Sequence, residues 1–201
     1  MRPVPVGADP RGVLAQLRTH QLIAVIRSSS EAEALCVGHA LVEAGAQVIE
    51  VTYTTPGASA VISSLKSELD STFLVGAGTI RSAEEPRSAA DAGADFLMSA
   101  GGPPPLVEAM QSTGLLVVPG VFTRTEIMTA RSMDVLAVKL FPASLLGPGG
   151  LQTLRGPFPD LPMIATGGIA ADEVGAWLDA GALAVGMGAE KYLAGHRGDG
   201  P

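Results

Sequence analysis

Two ionisable residues, Lys139 and Glu50, lie in segments that are otherwise apolar. Lys139 interrupts the apolar segment 135–142, and Glu50 interrupts the segment 48–52. Such segments are typical of buried parallel strands, where an ammonium is costly unless it is paired or loses its proton. As a free amine, Lys139 could attack a carbonyl carbon and form a Schiff base, and Glu50 could transfer protons. The alternatives are a lysine that reaches water at a strand tip and a glutamate that only neutralises Lys139 or Arg27.

Two glycine-containing segments predict an anion site. Gly167 and Gly168 stand just before a predicted helix, and Gly188 and Ala189 follow the last predicted strand. Backbone N–H groups at a helix start carry partial positive charge and bind phosphate or carboxylate groups. Tight turns that require glycine would explain the same pattern. The Gly-Ala-Gly-Thr segment 76–79 is a weaker indication, because such turns are common wherever a strand meets a loop.

The remaining composition narrows the function classes. The three histidines are far apart, so we predict no metal site, no other cofactor and no Ser-His-Asp hydrolase. The single cysteine, Cys36, excludes an internal disulfide. A net charge of −7 without a basic cluster argues against nucleic acid and anionic membranes. The start of the chain has no apolar leader, and no run reaches the ~20 apolar residues of a membrane span. We therefore predict a soluble cytoplasmic protein.

Short apolar segments alternate with helix-like segments along the 201 residues. The predicted strands are 22–26, 47–52, 73–76, 95–99, 115–119, 135–140, 162–166 and 182–186. The predicted helices between them are 31–44, 58–69, 83–92, 106–111, 125–131, 149–154 and 172–180. This alternation predicts a single-domain α/β protein, a (β/α)8 TIM barrel spanning 1–201, preceded by a short helix over 10–18. We expect 1–8 and 195–201 to be flexible.

The barrel prediction brings the candidate residues together. In such barrels, functional groups lie at the carboxyl ends of the strands. Lys139, Glu50 and Arg27 each lie at or near such an end, so they converge on one mouth. A doubly wound open sheet is the alternative fold. It is disfavoured by eight strands of similar length and by the lack of a Gly-x-Gly-x-x-Gly turn after the first strand.

Four segments together carry a family resemblance: 49–52 (Ile-Glu-Val-Thr), 76–79, 138–143 (Val-Lys-Leu-Phe-Pro-Ala) and 166–169 (Thr-Gly-Gly-Ile). Over 13–193 the chain resembles the bacterial 2-keto-3-deoxy-6-phosphogluconate (KDPG) and 4-hydroxy-2-oxoglutarate (KHG) aldolases. The resemblance implies a metal-independent class I aldolase, commonly a homotrimer, on a (β/α)8 barrel. Its reaction would release pyruvate and glyceraldehyde 3-phosphate from a 2-keto-3-deoxy-6-phospho sugar acid, as in the Entner–Doudoroff pathway.

The resemblance also implies a role for each candidate residue. Lys139 would form the Schiff base, and Glu50 would move protons during formation and cleavage of the intermediates. Arg27 and Thr79 would lie near the carboxylate of the pyruvyl half. The residues placed near the distal phosphate would be Gly167, Gly168, Gly188 and Ala189.

Three departures from the family pattern concern the substrate. Thr54 stands where many relatives have an arginine that binds an acid group, in a spacing closer to the 6-phosphogalactonate aldolases; we predict that Thr54 binds substrate. Ala100 replaces a proline, and Ala189 replaces a serine whose loss would cost about 1.5–3 kcal/mol of phosphate binding. Arg27 is then the only remaining predicted cation at this mouth.

Several other functions remain open at this point. Cleavage of 4-hydroxy-2-oxoglutarate or of a non-phosphorylated 2-keto acid would involve the same lysine chemistry. In a phosphosugar isomerase or epimerase, Lys139 would act only through its charge. A non-catalytic barrel that binds sugar acids would retain affinity without turnover.

Overall fold

The computed structural model describes residues 9–196. The predicted flexible segment 1–8 and residues 197–201 of the predicted flexible tail lie outside the described residues. Gly195 and His196, which the sequence prediction placed in that tail, instead form the last turn of a helix.

A single sheet of parallel strands forms the centre of the structure. The strands are β1 Leu22–Ile26, β2 Val48–Thr52, β3 Leu74–Ile80, β4 Phe96–Ser99, β5 Leu116–Val118, β6 Gly120–Val121, β7 Val138–Leu140, β8 Met163–Thr166 and β9 Ala184–Gly188. Their order is β5-β4-β3-β2-β1-β9-β8-β7-β6. Only Pro119 separates β5 from β6, and proline has no N–H group to donate to the ladder. Because β5 pairs with β4 and β6 pairs with β7, the two are halves of one strand that closes the barrel.

The predicted (β/α)8 fold is therefore confirmed, and the doubly wound alternative is wrong. The helices are α1 Pro10–His20, α2 Glu31–Glu43, α3 Ala58–Glu68, α4 Glu85–Asp91, α5 Pro104–Gln111, α6 Arg124–Ser132, α7 Gly147–Arg155, α8 Val174–Asp179 and α9 Ala189–His196. Two 3-10 helices, Ala143–Leu145 and Ala171–Glu173, precede α7 and α8. The predicted N-terminal helix is confirmed and extends two residues beyond 10–18, whereas α9 was not predicted.

Helix α1 closes the end of the barrel opposite the predicted site. Its Asp9 cap accepts a hydrogen bond from the Arg11 N–H group, and its buried Val13 and Leu17 belong to the cluster that fills the barrel interior. That cluster includes Val48, the first residue of β2. The amino-terminal end of the barrel is thus filled with apolar side chains, which leaves the carboxyl end for polar groups.

Strand β3 is longer than the sequence predicted. The sequence predicted that this strand ends at Gly76 and runs into a turn, but the strand continues to Ile80 and pairs with β2 as far as Gly78. Gly76 and Gly78 make this possible, because a Cβ atom on Gly76 would overlap the Phe96 ring and one on Gly78 would overlap the Glu50 carboxylate. The glycines in this motif therefore make room inside the barrel instead of forming a turn.

Candidate active site

A cavity of about 540 Å³ opens at the carboxyl ends of the strands. Eight of the nine predicted site residues line it: Arg27, Glu50, Thr79, Lys139, Gly167, Gly168, Gly188 and Ala189. The cavity is large enough for a small sugar acid. Thr54 is the predicted residue that is not among the lining residues.

Lys139 and Glu50 meet inside the barrel, although β7 and β2 are not neighbours in the sheet. The Lys139 ammonium donates hydrogen bonds to Glu50 Oε1 at 3.0 Å and Oε2 at 3.3 Å. The two side chains are 5% and 0% exposed, so Lys139 does not reach bulk water from a strand tip. Glu50 neutralises Lys139 in this geometry, as one of the alternatives predicted. The ammonium also lies 5.6 Å from the centre of the Phe141 ring. Because both charged groups line the cavity, a ligand carbonyl can approach the amine.

Arg27 and two threonines form a polar group on one side of the cavity. The exposed Arg27 guanidinium donates a hydrogen bond to the Thr54 hydroxyl and another, of 3.3 Å, to Thr79 Oγ1. Thr79 has a φ of 54°, an uncommon backbone conformation for threonine. Thr52 Oγ1 lies 3.0 Å from Thr54 Oγ1. Thr54 therefore orients Arg27, and Arg27 and Thr79 are the members of this group that line the cavity.

The loop after β8 forms the other side of the cavity. Gly167 and Gly168 have φ values of 98° and 79°, which glycine adopts without strain. The carbonyl of Gly167 accepts from the Ser144 N–H group at 3.1 Å. Within residues 9–196, the N–H groups of Gly168 and Ile169 donate to no backbone carbonyl. These N–H groups therefore remain available to an anionic ligand.

Sequence reasoning missed five polar residues of the cavity: Ser28, Glu33, Thr166, Glu190 and Lys191. Lys191, in the first turn of α9, lines the cavity, so the prediction that Arg27 is the only cation there besides Lys139 is wrong. Lys191 was missed because α9 was not predicted. The available signal was its position two residues after Ala189, which the sequence prediction had already placed at the site. Thr166 also lines the cavity, and its buried hydroxyl has no partner among the described residues.

Among residues 9–196, histidine, cysteine, aspartate and glutamate side chains form no group of three or more suited to a metal ion. No helix in the same range is long and apolar enough to cross a membrane.

A buried lysine beside a glutamate, lining a cavity at the mouth of a barrel, suits Schiff-base chemistry, in which the amine attacks a carbonyl and the carboxylate moves protons. Known proteins agree with this chemistry. The KDPG and KHG aldolase family profile matches residues 13–195. The chain therefore belongs to this aldolase family, and the predicted enzyme class, a carbon–carbon lyase of the class I aldolase type, is confirmed.

Individual relatives support the assignment. The chain is 30% identical over 175 residues to the 2-dehydro-3-deoxy-6-phosphogalactonate aldolase of Escherichia coli, covering 87% of this chain and 85% of that protein. It is 32% identical to the 2-dehydro-3-deoxy-phosphogluconate aldolase of Treponema pallidum, covering 78% and 75% of the two chains. A KDPG aldolase crystal structure from Legionella pneumophila, with pyruvate captured as a covalent carbinolamine, superposes with a TM-score of 0.81. Its sequence identity is 30%, and the match covers 94% of this chain and 92% of that one.

Proposed function

We propose that the protein cleaves a 2-keto-3-deoxy-6-phospho sugar acid to pyruvate and glyceraldehyde 3-phosphate, with Lys139 as the Schiff-base residue. The observation that carries this proposal is the Lys139–Glu50 pair, with N–O distances of 3.0 and 3.3 Å, buried at a cavity. A purely structural ion pair would not need to line a cavity large enough for a sugar acid.

The reaction follows from the two side chains. The Lys139 amine attacks the C2 carbonyl of the substrate, and loss of water from the carbinolamine gives an iminium ion. The iminium withdraws electrons, so the C3–C4 bond breaks as a base removes the C4 hydroxyl proton. The aldehyde leaves, and the electron pair remains on a neutral enamine. Protonation at C3 and hydrolysis then release pyruvate. Glu50 is positioned to carry these protons.

The two sides of the cavity orient the substrate. Arg27 and Thr79 would hold the carboxylate of the pyruvyl half. The loop with Gly167 and Gly168 and the start of α9 at Ala189 would hold the distal phosphate. Because Ala189 lacks a hydroxyl group, a second candidate is cleavage of 4-hydroxy-2-oxoglutarate, whose distal group is a carboxylate and not a phosphate.

Measurement of pyruvate release tests this proposal. The substrates are the 6-phosphogluconate-derived and 6-phosphogalactonate-derived 2-keto-3-deoxy acids, their dephosphorylated forms and 4-hydroxy-2-oxoglutarate. We expect wild-type turnover of at least one phosphorylated substrate, and a loss of about 10²-fold or more in kcat for Glu50→Gln, as expected for loss of acid–base catalysis. Isomerised product without pyruvate would favour an isomerase, and binding without turnover would favour a sugar-acid-binding barrel.

We further propose that the protein is a homotrimeric cytoplasmic enzyme of the Entner–Doudoroff type. Met128 on α6 and Leu145 after β7 are 63% and 75% exposed, and they belong to adjacent units of the barrel. Exposed large apolar side chains favour contact between subunits. Light scattering coupled to size-exclusion chromatography tests the trimer, and Met128→Ser with Leu145→Ser is expected to shift it toward monomer.

A further inference from the structure

A second cation, Lys191, lies on the side of the cavity away from Arg27. Arg27 follows β1 and donates to Thr79 in β3. Lys191 follows β9 and donates to the carbonyls of Gly168 at 3.3 Å and Ile169 at 3.1 Å, in the loop after β8. Strands β1 and β9 are neighbours in the sheet. Arg27 therefore extends from this pair of strands toward β3, and Lys191 extends the other way, toward the loop after β8.

Lys191 is placed to contact a ligand at the anion-binding loop. An ammonium group has three N–H donors, and the carbonyls of Gly168 and Ile169 accept from it. These two bonds hold the ammonium beside the loop. In a trans peptide the Ile169 N–H group points away from the Gly168 carbonyl, so the N–H group that can share an anion with the ammonium is that of Gly168, which has no backbone acceptor among residues 9–196. The third N–H group can then donate to an anion bound at that loop. Lys191 is exposed, so placing its side chain here carries no large desolvation cost.

Lys139 and the carboxylates that line the cavity do not supply a free positive charge at this loop, so we assign the contact with the anion to Lys191. Lys139 is neutralised by Glu50. The Glu33 carboxylate accepts from the Ser29 hydroxyl at 2.7 Å and the Ser29 N–H group at 2.8 Å. The hydroxyl contact, followed by the N–H contact, lowers the pKa of Glu33. Glu190 also lines the cavity, beside Lys191, and its charge opposes an anion there.

We propose that Lys191 is a specificity-determining residue that binds the distal anionic group of the substrate, a phosphate monoester or a carboxylate, where Ala189 offers no hydroxyl group. This inference rests on the proposed function, because it assumes that the aldehyde half of the substrate occupies the side of the cavity formed by the β8 loop and α9.

Aldol addition of pyruvate to three acceptors tests this role. The acceptors are glyceraldehyde 3-phosphate, glyoxylate and uncharged glyceraldehyde. For Lys191→Met we expect the ratio of kcat/KM for the charged acceptor over glyceraldehyde to fall about tenfold or more, as expected for loss of a hydrogen bond to a charged group. The fall is expected in KM and not in kcat, and Lys191→Arg is expected to restore most of the ratio. A fall with the phosphorylated acceptor alone identifies phosphate as the ligand, and a fall with glyoxylate alone identifies carboxylate.

Two further variants test whether the effect depends on charge and on position in the cavity. Glu190→Gln removes a negative charge next to Lys191 and is expected to raise the same ratio. Arg124→Met removes an exposed positive charge that does not line the cavity, and is expected to leave the ratio unaltered. An unaltered ratio in Lys191→Met, or an equal fall in Arg124→Met, would refute the role of Lys191. Pyruvate trapping in the wild type separates the two proposals: without it the proposed function fails, whereas trapping with an unaltered ratio overturns only this inference.

Discussion

Replacing Lys139 by methionine removes one partner of an ion pair whose side chains are 5% and 0% exposed. Loss of one partner from a buried pair typically costs about 3–5 kcal/mol of folding free energy, because the other charge remains unpaired. In this variant the Glu50 carboxylate is unpaired, but it lines the cavity of about 540 Å³, so water can reach it. We therefore expect a loss near the lower end of this range, about 3 kcal/mol.

The double variant Lys139→Met/Glu50→Leu removes both charges and leaves neither unpaired. We expect it to be more stable than Lys139→Met alone, because replacing a whole buried pair by apolar side chains is often neutral or stabilising. The two substitutions should therefore be strongly non-additive.

Urea denaturation followed by fluorescence measures these differences. The single tryptophan, Trp177, is 1% exposed and reports on unfolding. Lys66→Met is the matched control, because Lys66 pairs with Asp95 at 2.8 Å in a more exposed position, with side chains 25% and 13% exposed. We expect it to cost about 1 kcal/mol. Two results would contradict a buried ion pair. In the first, Lys139→Met lowers the free energy of unfolding no more than Lys66→Met does. In the second, the double variant lowers it by the sum of the two single losses.

Three further predictions follow from other contacts. Gly78→Ala places a methyl group where the Glu50 carboxylate lies, so we expect kcat to fall about 10²-fold; an unchanged kcat would mean that the position of Glu50 is not critical. Arg27→Gln should raise KM for pyruvate about 10- to 100-fold in the synthetic direction by loss of a charge-assisted hydrogen bond, and an unaltered KM would place the carboxylate elsewhere. Glu126→Ala should lower the melting temperature at pH 7, and this difference should disappear only when the pH falls below the lowered pKa of the folded state. Desolvation raises the pKa of Glu126, but hydrogen bonds from Phe122 and Thr123 outweigh it and lower that pKa. The contribution is therefore complete above the usual glutamate value and lost as the pH falls through the lowered one, and a pH-independent difference would contradict it.

Local patterns were sufficient to predict most of the fold. Apolar segments bounded by glycine and proline gave the strands, and their number and alternation with helices gave the barrel. The split of one strand at Pro119 was not predicted, since it depends on which neighbours β5 and β6 pair with. The helix α9 was missed because its glycine-preceded start resembles a loop in sequence.

The candidate site was predictable where topology alone brings residues together. Lys139 and Glu50 are the middle residues of β7 and β2, and both side chains point into the barrel, so their meeting follows from the closure of the barrel. The overlap between a Cβ atom on Gly78 and Glu50 depends on the exact approach of β3 to a side chain of β2, which no sequence pattern encodes. The position of Lys191 depends in turn on where α9 begins.

The central claim is that Lys139 forms a covalent intermediate. Sodium borohydride reduction in the presence of pyruvate converts an iminium into a stable secondary amine, which mass spectrometry of peptides locates. We predict a pyruvate-derived adduct on the peptide that contains Lys139, and its absence from the same peptide of Lys139→Ala. An unmodified wild-type protein, or an adduct on Lys66 or Lys191 instead, would contradict the account.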